Sequence, residues 1–511
     1  MLNSRRLELR GARDKPFHRL RRLSLEAFVK LARIASIKIL TVGFVSKLKN
    51  VRLFIAVVVL IITQTSWATN LSDAYADAKG HDPVVAGAEA GLRATREIIP
   101  QSRSALLPSL FASGNTAWNE RNQLSCTIPG CRDDQANNTH GWQAQLRQPI
   151  FDLEAWFNYR SAKSRVKGAE WNFAATEQNL IVRTVVAYLN VLRAEDLLES
   201  TEHAEEAVKT QLEQVQQRFD VGLVAITDVL EARAAYDSSI VLRVQAAGDH
   251  DIFFETLRTL TGRPYSSIDR ISESLPIVNP SPSNEEEWVN TALATNLTIR
   301  AAFAQLESAQ RTLRARRSGH LPTIDATLSR SHSVSGGSSF GGISFPPNKT
   351  DSDVYGLSLT LPIYQGGLTS SRSKEARALA EQSRQQLNER QLTVSRDTRN
   401  LFRAVTTDVV RVRARLKAIA SSESARDATE TGYEVGTRNI VDVLQAQQRL
   451  YSSQFDYADS RYNYIVDLML LKQTAGTLVD EDLADLNRYT DPDKPVTRLN
   501  RLRARVDFDA Q

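Results

Sequence analysis

A handful of side chains near two glycine turns are of the types that acid–base chemistry uses. They are Thr227 and Asp228 just after Gly222, and Tyr433, Arg438 and Asp442 around Gly436. A carboxylate, a cation and a phenol move protons usefully only when gathered in a pocket, and these lie at tight turns outside any pocket the sequence suggests. The other candidates are weaker. Seven histidines (18, 81, 140, 203, 250, 320, 332) are scattered without metal-ligand spacing, and no nucleophile elbow occurs. Cys126 and Cys131 have no histidine cluster beside them; in a chain that carries an export leader, as argued below, a disulfide closing a small surface loop is expected. The run Ser335-Gly-Gly-Ser-Ser-Phe-Gly-Gly342 reads as a flexible surface loop. It does not join a strand to a helix N-terminus, so it is no phosphate cradle. No cofactor or metal is expected, and an enzyme is the weakest reading.

The elements that position these residues come from an internal duplication. Phe219-Asp-Val-Gly-Leu-Val-Ala-Ile-Thr-Asp-Val-Leu-Glu-Ala232 aligns with Tyr433-Glu-Val-Gly-Thr-Arg-Asn-Ile-Val-Asp-Val-Leu-Gln-Ala446 at an offset of 214. Leu107-Pro-Ser-Leu110 aligns with Leu321-Pro-Thr-Ile324 at the same offset, and Pro149-Ile-Phe151 with Pro362-Ile-Tyr364 at 213. Each unit opens with a helical stretch (72–106; 286–319) closed by Pro108 or Pro322. Two segments of alternating polarity follow, then a helix (153–218; 367–432) almost free of Gly and Pro. At 1.5 Å per residue that helix is roughly 100 Å long. The turn at Gly222 or Gly436 sends the chain back through another helix (226–262; 440–475). Ile181, Val185, Tyr188 and Leu192 recur as a coiled-coil seam. The domain reading is therefore a leader at 1–68, a first unit at 69–285, a second at 286–486, and a polar tail at 487–511 that is expected to be disordered.

Because both units build the same turn, shared residues belong to the turn itself. Gly222 and Gly436 suit the left-handed position after a helix, and Asp228 and Asp442 suit the positive end of the returning helix. Residues that differ are the better functional candidates: Arg438 stands where the first unit has Val224, and Tyr433 where it has Phe219.

The alternating segments carry a membrane argument. Trp142, Ala144 and Leu146 alternate with glutamine and arginine; Tyr355, Leu357, Leu359 and Leu361 alternate with small polar residues. Ile324, Ala326 and Leu328 repeat the pattern, and Leu110, Ala112, Gly114, Thr116 and Trp118 follow it weakly. Such strands fit either a half-buried soluble sheet or a transmembrane barrel. Membrane barrels begin at eight strands, so four per chain require a dimer of eight or a trimer of twelve.

Charge and leader favour export. Residues 1–68 hold 14 basic against 3 acidic residues, net +11, leaving 50 against 56, net −6. A mildly acidic body argues against a nucleic-acid partner. The apolar run Leu53–Thr63 follows Lys47, Lys49 and Arg52 and precedes Ser66-Trp67-Ala68, a small-x-small cleavage site, so a secretory signal peptide is expected, with an uncleaved anchor as the alternative. No cysteine follows to take a lipid. Translation is expected to start at a non-Met codon such as Val42 or Val45.

The segments RFDVGLVAITDVLEARAAYD (218–237), GHLPTIDATLS (319–329), SLTLPIYQGG (358–367) and GYEVGTRNIVDVL (432–444) resemble the TolC family of outer-membrane efflux and secretion channels, from about 70 to 486 and in family order. That resemblance implies a fold of α-helix plus membrane β-structure: four strands per chain in one 12-stranded trimeric β-barrel, continued by a long α-helical coiled-coil barrel across the periplasm. It implies a homotrimer in outer-membrane lipid, docked to a periplasmic adaptor protein and an inner-membrane pump or ABC transporter. It also implies a latch in which Tyr433 and Arg438 tie the inner helix pair to Thr227 and Asp228, and a ring of carboxylates at Asp442. The family's second ring position, three residues on, is Gln445 here, so a single ring is expected. The alternative, a periplasmic coiled-coil adaptor or scaffold, explains the helices and the leader but not the duplicated strands.

Overall fold

A computed structural model describes residues 69–123, 133–340 and 343–498. Cys126, Cys131 and the leader fall outside the described residues. The first unit opens with α1 (Leu71–His81), α2 (Pro83–Arg96) and α3 (Ile98–Ser104), where the sequence suggests one continuous helix. The break at Asp82 has a local cause. Its carboxylate accepts from the Val84 and Val85 amides, and Pro83 sits at the first helical position. In the second unit Asn296 splits the equivalent stretch into α6 (Glu285–Thr295) and α7 (Leu297–Ser318) by capping Thr298 and Ile299.

Strands β1 (Ser109–Gln123) and β2 (Asp133–Phe151) of the first unit join β4 (Thr323–Ser335) and β7 (Asn348–Thr360) of the second in an antiparallel sheet ordered β1-β2-β4-β7. Within residues 335–342, expected to form a flexible Gly/Ser loop, β5 (Ser338–Phe340) pairs with β6 (Ile343–Phe345) just beyond it, because Ser-Ser-Phe and Ile-Ser-Phe keep enough β-forming residues to pair.

The long helices are α4 (Leu153–Asp220) and α8 (Leu368–Glu434), ending within two residues of expectation. Their returning partners are α5 (Ile226–Thr261) and α9 (Ile440–Ala475). Toward the sheet, α4 packs on α7, with Ser161 bonded to Ser308 and Thr312 at 2.9 Å. Farther along, α4 pairs with α5 through Arg243 and Glu205, and α8 with α9 through Arg415 and Asp456 at 2.5 Å. The main core lies at mid-length, where the seam residues Ile181, Val185, Tyr188 and Leu192 are all buried against Phe254, Leu257, Ile465 and Met469.

One expectation is overturned at the C-terminus. Residues 490–497 are not disordered: β8 (Thr490–Thr497) pairs antiparallel with β3 (Ser267–Ile271), after α10 (Asp480–Asn487). Asp491, Pro492, Asp493, Lys494 and Pro495 look unlike a strand, but β8 is an edge strand, where missing donors are tolerated. Only Val496 reaches the core, against the wholly buried Ile268. Residues 499–511 lie outside the described residues.

Candidate functional site

The sheet separates its two faces cleanly. Cross-strand partners in an antiparallel pair share a face, so Leu110, Leu146, Leu328 and Tyr355 form one apolar row, with Ala326 and Leu357 in the next and Ile324 and Leu359 beyond them. On the outer strands these side chains are exposed, Leu110 at 72 % and Tyr355 at 79 %, while Leu146, Ala326 and Ile324 on the inner strands are half-buried. Exposed Leu361, Ile363 and Tyr364 extend the band on one side, and Trp142, stacked on His332, marks the other. From Tyr355 to the strand end at Thr360 and on through Tyr364 the band is about ten residues long, enough for the roughly 25 Å apolar belt of a membrane barrel with aromatic rims. The opposite face is polar: Arg147 of β2 donates two hydrogen bonds to Asp325 of β4, at 3.2 and 2.9 Å. The four strands run 13 to 19 residues, so both hairpins continue past Trp142. On the band face the ionic pairs set in one row short of Trp142: Arg330 opposes Asp353 in the row of Ala144, and His332 opposes Asp351 in the row of Trp142. Backbone groups on the outer edges of β1 and β7 have no partner strand among the described residues. Among the described residues no helix is long and apolar enough to cross a membrane.

At the far end of the long helices both turns are built as the duplication predicts. Gly222 and Gly436 take φ of 78° and 80°. In each turn a following amide reaches back to the last helical residues: Leu223 N donates to Arg218 O, and Thr437 N to Gly432 O, both at 2.8 Å. The two turns share a small separate core of Val215, Val229, Ala232, Ile440 and Val443, with Phe219 and Tyr433 packed against it.

The polar residues are brought to this one end, but within one chain they do not form the latch the resemblance implies. Arg438 Nη1 lies 3.8 Å from Asp442 of its own turn, and no bond joins it to Asp228. Among the described residues, the Asp228 carboxylate is bonded by Thr227 alone, at 3.5 Å. The Tyr433 ring lies under the Arg218 guanidinium, 5.0 Å from centroid to Cζ, while its buried hydroxyl has no hydrogen-bond partner among the described residues. Arg218 carries no signal in the sequence, because a stack between helices of the two units leaves no mark in the spacing of either turn. Asp442 does more than favour a dipole. With Asn439 it forms a reciprocal capping box, Asn439 Oδ1 accepting from Asp442 N at 2.8 Å. That box is legible in the sequence as Asn-x-x-Asp, while the first unit has Ala225 at the cap and no side-chain bond. Gln445 lines an open groove between α5 and α9 with Glu231, Leu444 and Arg449. Among the described residues no group of His, Cys, Asp or Glu is placed to hold a metal.

Comparison with known proteins agrees with this architecture. The sequence profile of the outer membrane efflux protein family matches residues 74–263 and 288–477, one match per structural unit. The chain is 34 % identical over 440 residues to the outer membrane protein TolC of Escherichia coli strain K12, covering 84 % of this chain and 87 % of that one. It is 26 % identical over 428 residues to the alkaline protease secretion protein AprF of Pseudomonas aeruginosa, covering 83 % and 88 %. Among solved structures, the CmeC outer membrane channel of Campylobacter jejuni superposes with a TM-score of 0.67 at 17 % identity, over 83 % of this chain and 90 % of that one, a likeness of fold.

Proposed function

The chain belongs to the outer membrane efflux protein family, and from that premise we propose that three copies form one passive export duct across the outer membrane and periplasm. The observation that carries this reading is the four-stranded sheet, with two open edges and an exposed apolar band on one face. Buried in lipid, an open edge leaves backbone donors and acceptors unsatisfied at several kcal/mol each, so the edges must meet other copies. Pairing β7 of one copy with β1 of the next closes twelve strands in a trimer. The polar face, with Arg147 and Asp325, then lines the bore. Nothing in the sheet favours the adaptor reading, since an adaptor needs no lipid-facing belt.

The long helices of three copies continue the bore, and the turns at Gly222 and Gly436 form its periplasmic mouth. There the duct meets a periplasmic adaptor and an inner-membrane pump or ABC transporter, which supply the energy that a passive channel lacks. Arg438 and Tyr433 hold the mouth closed across a boundary that a single chain does not contain. Two facts support that placement. Among the described residues the buried Tyr433 hydroxyl has no hydrogen-bond partner, and Asp228 has no cation paired with it. A latch of a few charge-assisted hydrogen bonds is worth about 1.5–3 kcal/mol each, within reach of a docking partner. Asp442 provides a single carboxylate ring, softened by Arg438 and by its capping bond. Conductance of the purified protein in planar bilayers tests this: Arg438→Ser and Tyr433→Phe should each raise the open fraction. If neither does so in a correctly assembled trimer, the latch assignment fails.

A further inference from the structure

The first described residue, Thr69, is woven into the mid-length sheet. Its amide donates to Ser267 O at 3.1 Å, and its carbonyl accepts from Asp269 N at 3.1 Å and from the Tyr188 hydroxyl at 3.2 Å. Thr69 therefore lies alongside Ile268 as a parallel neighbour of β3. Beside it is an unbalanced charge. Asp269 is 4 % exposed, and its Oδ1 has no hydrogen-bond partner. Burial, and then the negative charges of Asp73 from α1 and Asp491 from β8, push the Asp269 carboxyl above the usual range. Tyr188 of α4 gives its hydroxyl to the Asp269 carbonyl, not to the carboxylate. Nearby cations are used elsewhere: Arg270 by Asp196 and Glu199, Arg498 by Asp251 and Glu255. Among the described residues no Lys, Arg or His pairs with Asp73, Asp269 or Asp491. A buried carboxylate left in this state is costly unless a cation joins it.

The leader supplies one. Its cleavage site, Ser66-Trp67-Ala68, ends at the residue before Thr69. Hydrolysis of the Ala68–Thr69 bond consumes one water. Ala68 departs with the carboxylate, and the Thr69 nitrogen keeps its electron pair and takes up a proton to become an ammonium. We propose that the α-amino group of Thr69, released by leader removal, is the counter-ion of the buried Asp269 carboxylate. Processing then does more than free the chain from the inner membrane: it completes a sheet that joins the N-terminus, β3 and the C-terminal β8. A chain that keeps its leader closes this sheet over an unpaired charge.

The direction of one pKa distinguishes this pairing from mere burial. Burial alone lowers an amine's pKa, whereas a carboxylate partner raises it. The purified full-length trimer would be acylated with acetic anhydride across a pH series, and the N-terminal peptide quantified by mass spectrometry. The expected result is a mature chain beginning at Thr69, with a labelling midpoint about one unit above the 7.7–8.0 of a free α-amino group, hence roughly tenfold slower labelling at neutral pH. In Asp269→Asn the midpoint falls to or below the free value. If that variant does not assemble, the same chain unfolded in urea serves as the reference. A folded midpoint at or below the unfolded one, or a mature chain that begins elsewhere, overturns the proposal.

Discussion

The two periplasmic turns are copies of each other, yet they use the same residues differently. Ile226 and Ile440 occupy equivalent positions, but Ile226 is 50 % exposed and Ile440 only 1 %. Leu223 and Leu230 of the first turn are also exposed, whereas the second turn has Thr437 and a partly buried Leu444 in their places. The second turn has a capping box and the first has none. Backbone geometry was kept by two left-handed glycines, while side-chain roles diverged. The second copy is tied inward, and the first presents apolar surface outward. A duplicated element thus serves as its own control: what both copies share belongs to the turn, and what differs belongs to each copy's surroundings.

The comparison breaks most visibly at the isoleucines. Ile440→Ala should cost about 2–5 kcal/mol of local stability by emptying a packed site. Ile226→Ala should stay within about 0.5 kcal/mol. Hydrogen exchange of the turn amides reads both, and equal protection losses would mean that the two turns are not differently packed. A smaller effect separates the units higher up. Asp408 of α8 is buried facing Asp467 of α9, where the 214-residue offset places Ala194 and Phe253 in the first unit. Burial, and then the negative charge of Asp467, push the Asp408 carboxyl up to about 6, with Arg411 at 2.7 Å opposing them. A proton held more tightly in the folded than in the unfolded state stabilises at low pH, and that contribution is lost as pH rises from the ordinary carboxylate range through about 6. Thermal unfolding should therefore shift downward over that window in the parent protein. Asp408→Asn should flatten the dependence and melt higher than the parent at pH 7.5. An unchanged pH profile would remove the carboxylate pair from the account.

Removing the cap should be milder still. Asn439→Ala should cost about 1 kcal/mol, and Ala225→Asn should recover a similar amount in the first unit. Fraying of α9 and α5, followed by hydrogen exchange, reads the two changes in opposite directions. The smallest energetic change tests the ring at the mouth. Gln445→Asp should strengthen block by multivalent cations in bilayer recordings with little effect on stability, and an unaltered block would place Gln445 away from the conduction path.

How much of this was legible beforehand follows from what sets each feature. Pro108, Gly222 and Gly436 act through their own backbones, so helix ends near them were read to within two residues. The alternation of Tyr355, Leu357 and Leu359 is a period of two, visible without neighbours. Strand β8 was invisible because only Val496 pays it any hydrophobic return, and its reason for existing is Ile268, more than 200 residues away. The Arg218–Tyr433 stack is hidden for the same reason: its two residues lie more than 200 positions apart, in different units. The missing bond between Arg438 and Asp228 teaches a different lesson. The resemblance names residues that the fold does gather at one end of the long helices, but within one chain Arg438 and Asp228 are not bonded to each other.

The seam between β2 and β4 has a consequence for how the duct is built. It joins the first hairpin to the second inside one polypeptide, clasped by Arg147 and Asp325. In a closed ring of six hairpins, every other junction is therefore already made before any two molecules meet. An unduplicated ancestor of the same ring would have had to gather six separate partners, with a yield that falls far more steeply on dilution. Fusing two hairpins into one chain makes a sparse protein in a crowded membrane a third-order assembly problem where it would otherwise be sixth-order.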